Sequence, residues 1–296
     1  MVTIIETNGY KDCDGNQIDG NLKNCKIIFR GKNAKLKLGK AFLSLGNNNT
    51  IIMENNCEAF FGDNFNMGRD NTFYFRSNSS FKIGNNGTIT NYFRLYNRGN
   101  IVIGNNFGMR DFGEIRVLGS AKLSDWIYFQ HNVLLYAPKY TSIKIGKDSG
   151  CSWYTKLMSG SGHSVYDLKH EIKLDEIDKE RVLSIGKHVW IASGTTISNN
   201  VSIGDGCMVS ANSNVVSGSY PANTLISGNP AKKILEDIAW DRRIDLGYAE
   251  YIEYKNEGID LIERAAYLEE YQDITIDENY INNQSNNTYD DSGRKI

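Results

Sequence analysis

Of the four histidines in this chain, one has the surroundings of a reactive group. His163 follows Ser159, Gly160, Ser161 and Gly162, and Asp167 stands four positions beyond it. A neutral imidazole near pH 7 can take the proton of a hydroxyl and so turn a poor nucleophile into a competent one. The small residues ahead of it leave room for a ligand to approach the backbone. Asp167 could orient the imidazole through a ring N–H, as carboxylates do in catalytic triads, although a backbone carbonyl would serve equally well. The same residues also fit a structural reading, with a hydrogen-bonded core or corner histidine and an exposed loop aspartate.

His188 precedes Val189 and Trp190 and could line the same cleft, which makes it the second candidate. His131, in Phe129–Val133, and His170, in a polar run, read as surface residues. Trp190 offers a flat face and one N–H donor, suited to contacting a ligand or a developing oxyanion; packing against a neighbouring chain is the plainer alternative. Trp153, Tyr154 and Tyr166 flank the histidine region and are candidate contacts for an acceptor molecule.

The element that must hold these groups is written in the spacing. Ile185, Ile191, Ile197, Ile203, Val209 and Val215 recur at every sixth position, with Val189, Thr195, Val201, Cys207 and Ser213 four places after each aliphatic residue. That period suits neither an α-helix nor a long alternating strand. It suits a polygonal coil whose flat sides are short strands and whose corners turn at Gly, Asn or Asp, three sides making a coil of about 18 residues. Ile145, Cys151 and Leu157 continue the period, so His163 falls on a step where an aliphatic residue would be expected. Trp190 lies between inward Val189 and Ile191 and should point outward. Paired asparagines such as Asn85-Asn86 and Asn105-Asn106 follow Ile-Gly steps, as expected of corners that need a left-handed backbone.

The run from Ile143 to Ile234, with Ser159–Asp167 and the terminal phrase Ser227–Ile234, resembles the hexapeptide-repeat acyltransferases, and within them the bacterial O-acetyltransferases of surface-polysaccharide pathways. The resemblance implies a left-handed parallel β-helix; handedness does not follow from the period. It implies transfer of an acetyl group from acetyl-CoA to a sugar hydroxyl, with His163 as general base and Trp190 beside it. It also implies a homotrimer whose active sites are shared between chains. The donor groove would use Ala192, Ser193, Ala211 and Asn212, with Lys232 and Lys233 placed for the phosphates of coenzyme A. N-acylation of an amino sugar or nucleotide sugar, and a non-catalytic glycan-binding β-helix, are the alternatives.

The fold class expected is therefore mainly β, with an α-helical C-terminal segment. Residues 1–25 should cap the open end, and residues 26–234 should form the β-helix, interrupted by a polar insertion over 164–183. Helical spacing of Ile238, Ile244, Leu246, Leu261 and Leu268 predicts helix over 235–271, followed by a mobile tail over 272–296. A net charge of −2 over 296 residues gives no reason to expect nucleic acid. The five cysteines form no C-x-x-C pair, and Cys151 and Cys207 fall on packing positions. Asp12–Gly20 looks like a calcium loop but carries Lys23 where the bidentate Glu belongs. A zinc enzyme on this scaffold would need three histidines, and only His163 and His188 could be neighbours, so no metal is expected. The N-terminus lacks an apolar signal core and no stretch is long enough to span a membrane, which points to the cytoplasm.

Overall fold

The computed structural model describes residues 2–173 and 181–242, which form a parallel β-solenoid with three walls. The chain visits the walls in turn: Cys25–Phe29 on wall 1, Lys35–Leu38 on wall 2, Leu43–Ser44 on wall 3, then Asn49–Met53 on wall 1 again. Among the described residues the walls hold ten, eleven and ten strands. Inward side chains alternate with outward ones: in Arg94–Asn97, Leu95 and Asn97 are buried, Arg94 is exposed and Tyr96 is half-covered. Each strand pairs in register with the equivalent strand one coil away, as Thr72–Phe75 does with Arg94–Asn97.

The corners turn where an L-residue must adopt positive φ. Asn33, Asn56 and Asn78 do so on the edge between walls 1 and 2, and Asn64, Asn86 and Asn106 on the edge between walls 2 and 3. Their side chains form ladders: the Asn64 amide donates to Asn86 at 3.0 Å, and that of Asn86 to Asn106 at 3.1 Å. Asparagine tolerates this backbone and satisfies its neighbour, so the paired asparagines of the sequence are corner residues.

The coil is not constant. Thr72 pairs with Arg94, 22 positions on; Arg94 pairs with Glu114 after 20; Thr196 pairs with Asn214 after 18. The early wide coils enclose rings and the last, narrow ones aliphatic chains; the 22-residue coil from Leu134 to Lys156 places its two extra residues at the corner between Ala137 and Ser142 and is lined by aliphatic chains. Phe61 lies 5.0 to 5.4 Å from Phe65, Phe73 and Phe81, whereas the core of the last coils is Ile191, Ile197, Val209 and Val215. A larger circumference leaves a larger axial volume, which only larger side chains fill to native density. Cys25, Cys57, Cys151 and Cys207 are buried among them, and burial pushes the thiols of Cys25 and Cys57 up to about 12.

At the start, Val2–Ile4 runs antiparallel along Cys25–Phe29, and Gln17–Asp19 lies parallel to Lys35–Leu38. The interruption after Lys156–Met158 loops out and returns at Arg181–Ile185, which pairs with Thr141–Ile145. Part of the loop is a small hairpin, Tyr166–Asp167 against Ile172–Lys173.

The C-terminal helix expected over 235–271 is not borne out: the described residues contain no helix. Ala231–Leu235 instead turns back as a strand antiparallel to Leu225–Gly228, and residues 236–242 continue without helical structure. The last wall-3 strand would otherwise present an unpaired edge, and pairing with it overrides the weak helical propensity of the segment. The remainder of that expectation, residues 243–271, and the tail over 272–296 lie outside the described residues.

Replacing Phe61 by Ala should remove the ring shared by Phe42, Phe65, Phe73 and Phe81 and cost roughly 3–5 kcal/mol of unfolding free energy. Guanidinium titration should show it; a change under about 1 kcal/mol would mean that the ring cluster does not set the width of the early coils.

Candidate functional site

The loop carrying His163 leaves the solenoid at the edge between walls 1 and 2. Its root is fixed: the hydroxyls of buried Ser159 and Thr141 lie 2.6 Å apart, and Gly160 packs against Pro138 with no space for a Cβ. Gly162 adopts φ of +75°, and a Cβ there would fall 2.1 Å from the Tyr136 hydroxyl. Only glycine meets both demands. His163 follows at once. Its amide donates to Ser161 Oγ at 3.4 Å, and that hydroxyl donates to the His163 carbonyl at 3.2 Å. The imidazole is exposed and makes no hydrogen bond among the described residues.

Asp167 does not engage His163. Its carboxylate meets His170 Nδ1 at 2.6 Å and accepts from the amides of Lys169 and His170. The hydrogen bond to His170 is the main cause that holds the Asp167 carboxyl below its usual range. Tyr166 is exposed on the same hairpin, and Trp153 and Tyr154 stand exposed on the edge between walls 3 and 1. Tyr154 has φ of +61°, and Trp153 meets the half-buried His131 edge to face at 6.4 Å.

Trp190 points outward on wall 3, between Gly150 and Met208 of adjacent coils. A Cβ at Gly150 would lie 3.0 Å from its indole, so the ring packs against that glycine. Ala192 is half-covered on the same wall. Ser193 and Ala211 occupy successive corner positions, and the Asn212 amide donates to the Ser193 carbonyl at 2.8 Å. Ser193 Oγ also lies 2.8 Å from Ser152 Oγ. Lys232 and Lys233 are exposed on the final strand, where Lys233 pairs with Glu236 at 2.5 Å. Among the described residues no cluster of His, Cys, Asp and Glu is arranged for a metal ion, and no helix is long and apolar enough to cross a membrane.

His188 belongs to a different structure, one that spacing alone did not reveal. On the edge between walls 2 and 3 the asparagine ladder gives way to Trp126, Asp148 and His188, all at positive φ. The segment after the last strand runs back along this edge. The Ile238 amide donates to the Asn223 carbonyl, Trp240 stacks on His188 at 4.1 Å and 6°, and Arg242 reaches Asp148 at 2.8 Å. His188 Nδ1 lies 2.5 Å from Asp148 and Nε2 3.0 Å from the Trp240 carbonyl, while the Trp240 indole N–H donates to the His188 carbonyl. Both ring nitrogens and one ring face are thus engaged. Asp148 is fully buried, which its two cationic partners make tolerable. In the sequence, the visible signal was an Asp and a His at corner positions that neighbouring coils give to Asn.

Burial opposes a charge on His188, but the hydrogen bond to Asp148 and its negative charge prevail and raise the imidazole above its ordinary value; Arg242 works weakly against this. A raised folded value means that this group's contribution is complete below about pH 6.5 and is lost as pH rises through the folded value. Residues 236–242 should therefore exchange amide protons more readily, after correction for intrinsic rates, above that value than at pH 6. His188→Gln should abolish the difference, and an unchanged pH profile in that variant would show that another group controls the contact.

No profile of a known protein family matches the chain. The chain is 32% identical over 136 residues to WcaF of Escherichia coli K12, an inferred colanic acid biosynthesis acetyltransferase, covering 46% of this chain and 69% of that protein. It is 50% identical over 50 residues to WbbJ of the same organism, an inferred lipopolysaccharide biosynthesis O-acetyl transferase, covering 17% of this chain and a quarter, 25%, of that one. Among solved structures, the polysialic acid O-acetyltransferase OatWY superposes with a TM-score of 0.52 at 20% identity, over 79% of this chain and 99% of that one, which shows a shared fold. With three stacked walls, a six-residue period and this extent of identity to WcaF, the chain belongs to the hexapeptide-repeat acetyltransferases of polysaccharide biosynthesis.

Proposed function

We propose that the protein moves an acetyl group from acetyl-CoA to a hydroxyl of a surface polysaccharide or its precursor, with His163 as general base. The observation that carries this reading is the exposed imidazole of His163, without a hydrogen bond among the described residues, on a loop whose root is fixed by Ser159 and Thr141 and whose glycines have no space for a Cβ. A base must meet a hydroxyl from outside the protein, so it needs an open nitrogen and a fixed backbone. Asp148–His188 lacks the first of these. The ring of His163 receives the acceptor proton as the oxygen attacks the thioester carbon, then delivers it to the leaving sulfur. Asp167 acts on the loop, by fixing the hairpin through His170.

Trp190 and His163 stand on different faces of one chain, Trp190 on wall 3 and His163 at the edge of walls 1 and 2. Two copies are the simplest way to bring them together. The outward column of wall 3 supports this: Gly108, Tyr128, Gly150, Trp190, Met208 and Leu225 carry no charge and two have no side chain. Identical flat walls close around a threefold axis. In such a trimer, backbone groups of Ala192, Ser193, Ala211 and Asn212 bind the pantetheine amides, and Lys232 and Lys233 meet the phosphates. Trp153, Tyr154 and Tyr166 face the acceptor. Acetyl-CoA is made in the cytoplasm, so the proposed activity calls for the enzyme there.

His163→Ala should lower kcat by roughly 10²–10⁴-fold in a coenzyme A release assay while donor affinity holds. A variant retaining most of its turnover would remove His163 from the role. Sedimentation should give a species of about 100 kDa, three chains of 33.3 kDa. Mixing His163→Ala subunits with Lys232→Ala/Lys233→Ala subunits should restore part of the activity. A fully active monomer would refute the shared site.

A further inference from the structure

Wall 1 carries an outward ladder that ends at the His163 loop. Tyr74, Tyr96, Arg116 and Tyr136 occupy one outward column in consecutive coils, each directly in register with the next. Strands in neighbouring coils lie about 4.8 Å apart, so three steps cover roughly 14 Å. Tyr136 is the residue whose hydroxyl fills the space beside Gly162. The ladder is therefore continuous with the candidate site.

Its rings are held. Tyr74 donates to Glu54 at 2.5 Å, and Tyr74 and Tyr96 meet edge to face at 5.6 Å. Arg76 donates to the Tyr96 hydroxyl at 3.0 Å and to Glu54 at 2.9 Å, lying over both rings. Glu54 is satisfied by these contacts and by Ser77, which hold its carboxyl below the usual range even though burial works the other way. Glu114, the other acid of this column set, pairs with Arg116. Arg94 and Arg98 flank Tyr96, are exposed, and form no ion pair among the described residues. A chain with net charge −2 thus places on one wall, beside fixed tyrosine rings, two arginines that form no ion pair among the described residues, although Glu114 stands in register with Arg94. Wall 2 has lysines as well, but they flank a single ring, Phe60.

We propose that this ladder is an extended acceptor track for a carboxylate-bearing glycan chain. Tyrosine rings offer apolar faces to the C–H faces of sugar rings, and arginine forks bind carboxylates with two parallel hydrogen bonds. The repeat of the solenoid supplies a repeating surface for a repeating ligand. The inference rests on the acetyltransferase reading for what happens at the end of the track, but binding along the track does not need the chemistry.

The test is binding without acyl donor, by calorimetry, using oligomannuronate of about ten residues, its disaccharide, and dextran of equal length as the neutral probe. The decamer should bind at least tenfold more tightly than dextran and than the disaccharide, and weaken with salt as exposed charges are screened. Tyr96→Ala/Arg94→Ala/Arg98→Ala should lose tenfold or more of that affinity with an unchanged thermal transition, whereas Tyr96→Phe alone should bind like the parent. Equal affinity for decamer and dextran, or an undiminished triple variant, would overturn the track. His163→Ala should bind the decamer normally; if the parent binds through Tyr96 yet releases no coenzyme A with any acceptor, the track stands and the acetyltransferase reading falls.

Discussion

Every coil of this solenoid is held by the backbone groups of the coils above and below it. That single constraint governs the rest. A parallel wall leaves no room for an extra residue inside a strand, so all variation in coil length is expressed at the corners and in the width of the core. The steps from 22 to 20 residues, back to 22 between Leu134 and Lys156, and down to 18 in the last coils all leave the strand register intact. The one long interruption leaves and rejoins without disturbing the register, since Thr141–Ile145 pairs with Arg181–Ile185 across it.

The same constraint separates two kinds of histidine. His163 lies in the interruption, outside the ladder, and its ring makes no hydrogen bond among the described residues. His188 lies on a corner, inside the ladder, where its neighbours one coil below and in the returning segment are fixed by geometry, and it is fully engaged. The first and second candidates thus differ in the feature a base requires, an accessible nitrogen.

How much of this could be read from the chain depends on the range of the interactions. Inward and outward positions over Ile185–Val215 follow from a local period, and so do the asparagine corners. The early coils were harder because their spacing drifts, although Ile83-Gly84 and Ile103-Gly104 marked the corners. Over residues 235–242 the C-terminal segment misled, because charged residues between apolar ones imitate helical spacing there. What decides that segment is an open strand edge at Leu225–Gly228 and a buried carboxylate at Asp148, and neither is a local property. The partner of Asp167 was equally invisible, since His170 reaches it only because the hairpin folds. The tyrosine ladder needed the register: Tyr74, Tyr96 and Tyr136 are unremarkable until they are stacked.

The returning segment changes how the molecule can come apart. A solenoid ordinarily frays from its last coil, each coil depending only on its neighbour. Here residues 238–242 contact Asn223, then His188, then Asp148, which lie on three of the last four levels of this edge, with the level of Gly206 between Asn223 and His188. Peeling away the final coil requires these contacts to open first, so the last levels should melt as one block and not coil by coil. The narrow aliphatic end, with the smallest core per coil, is the end that receives this reinforcement.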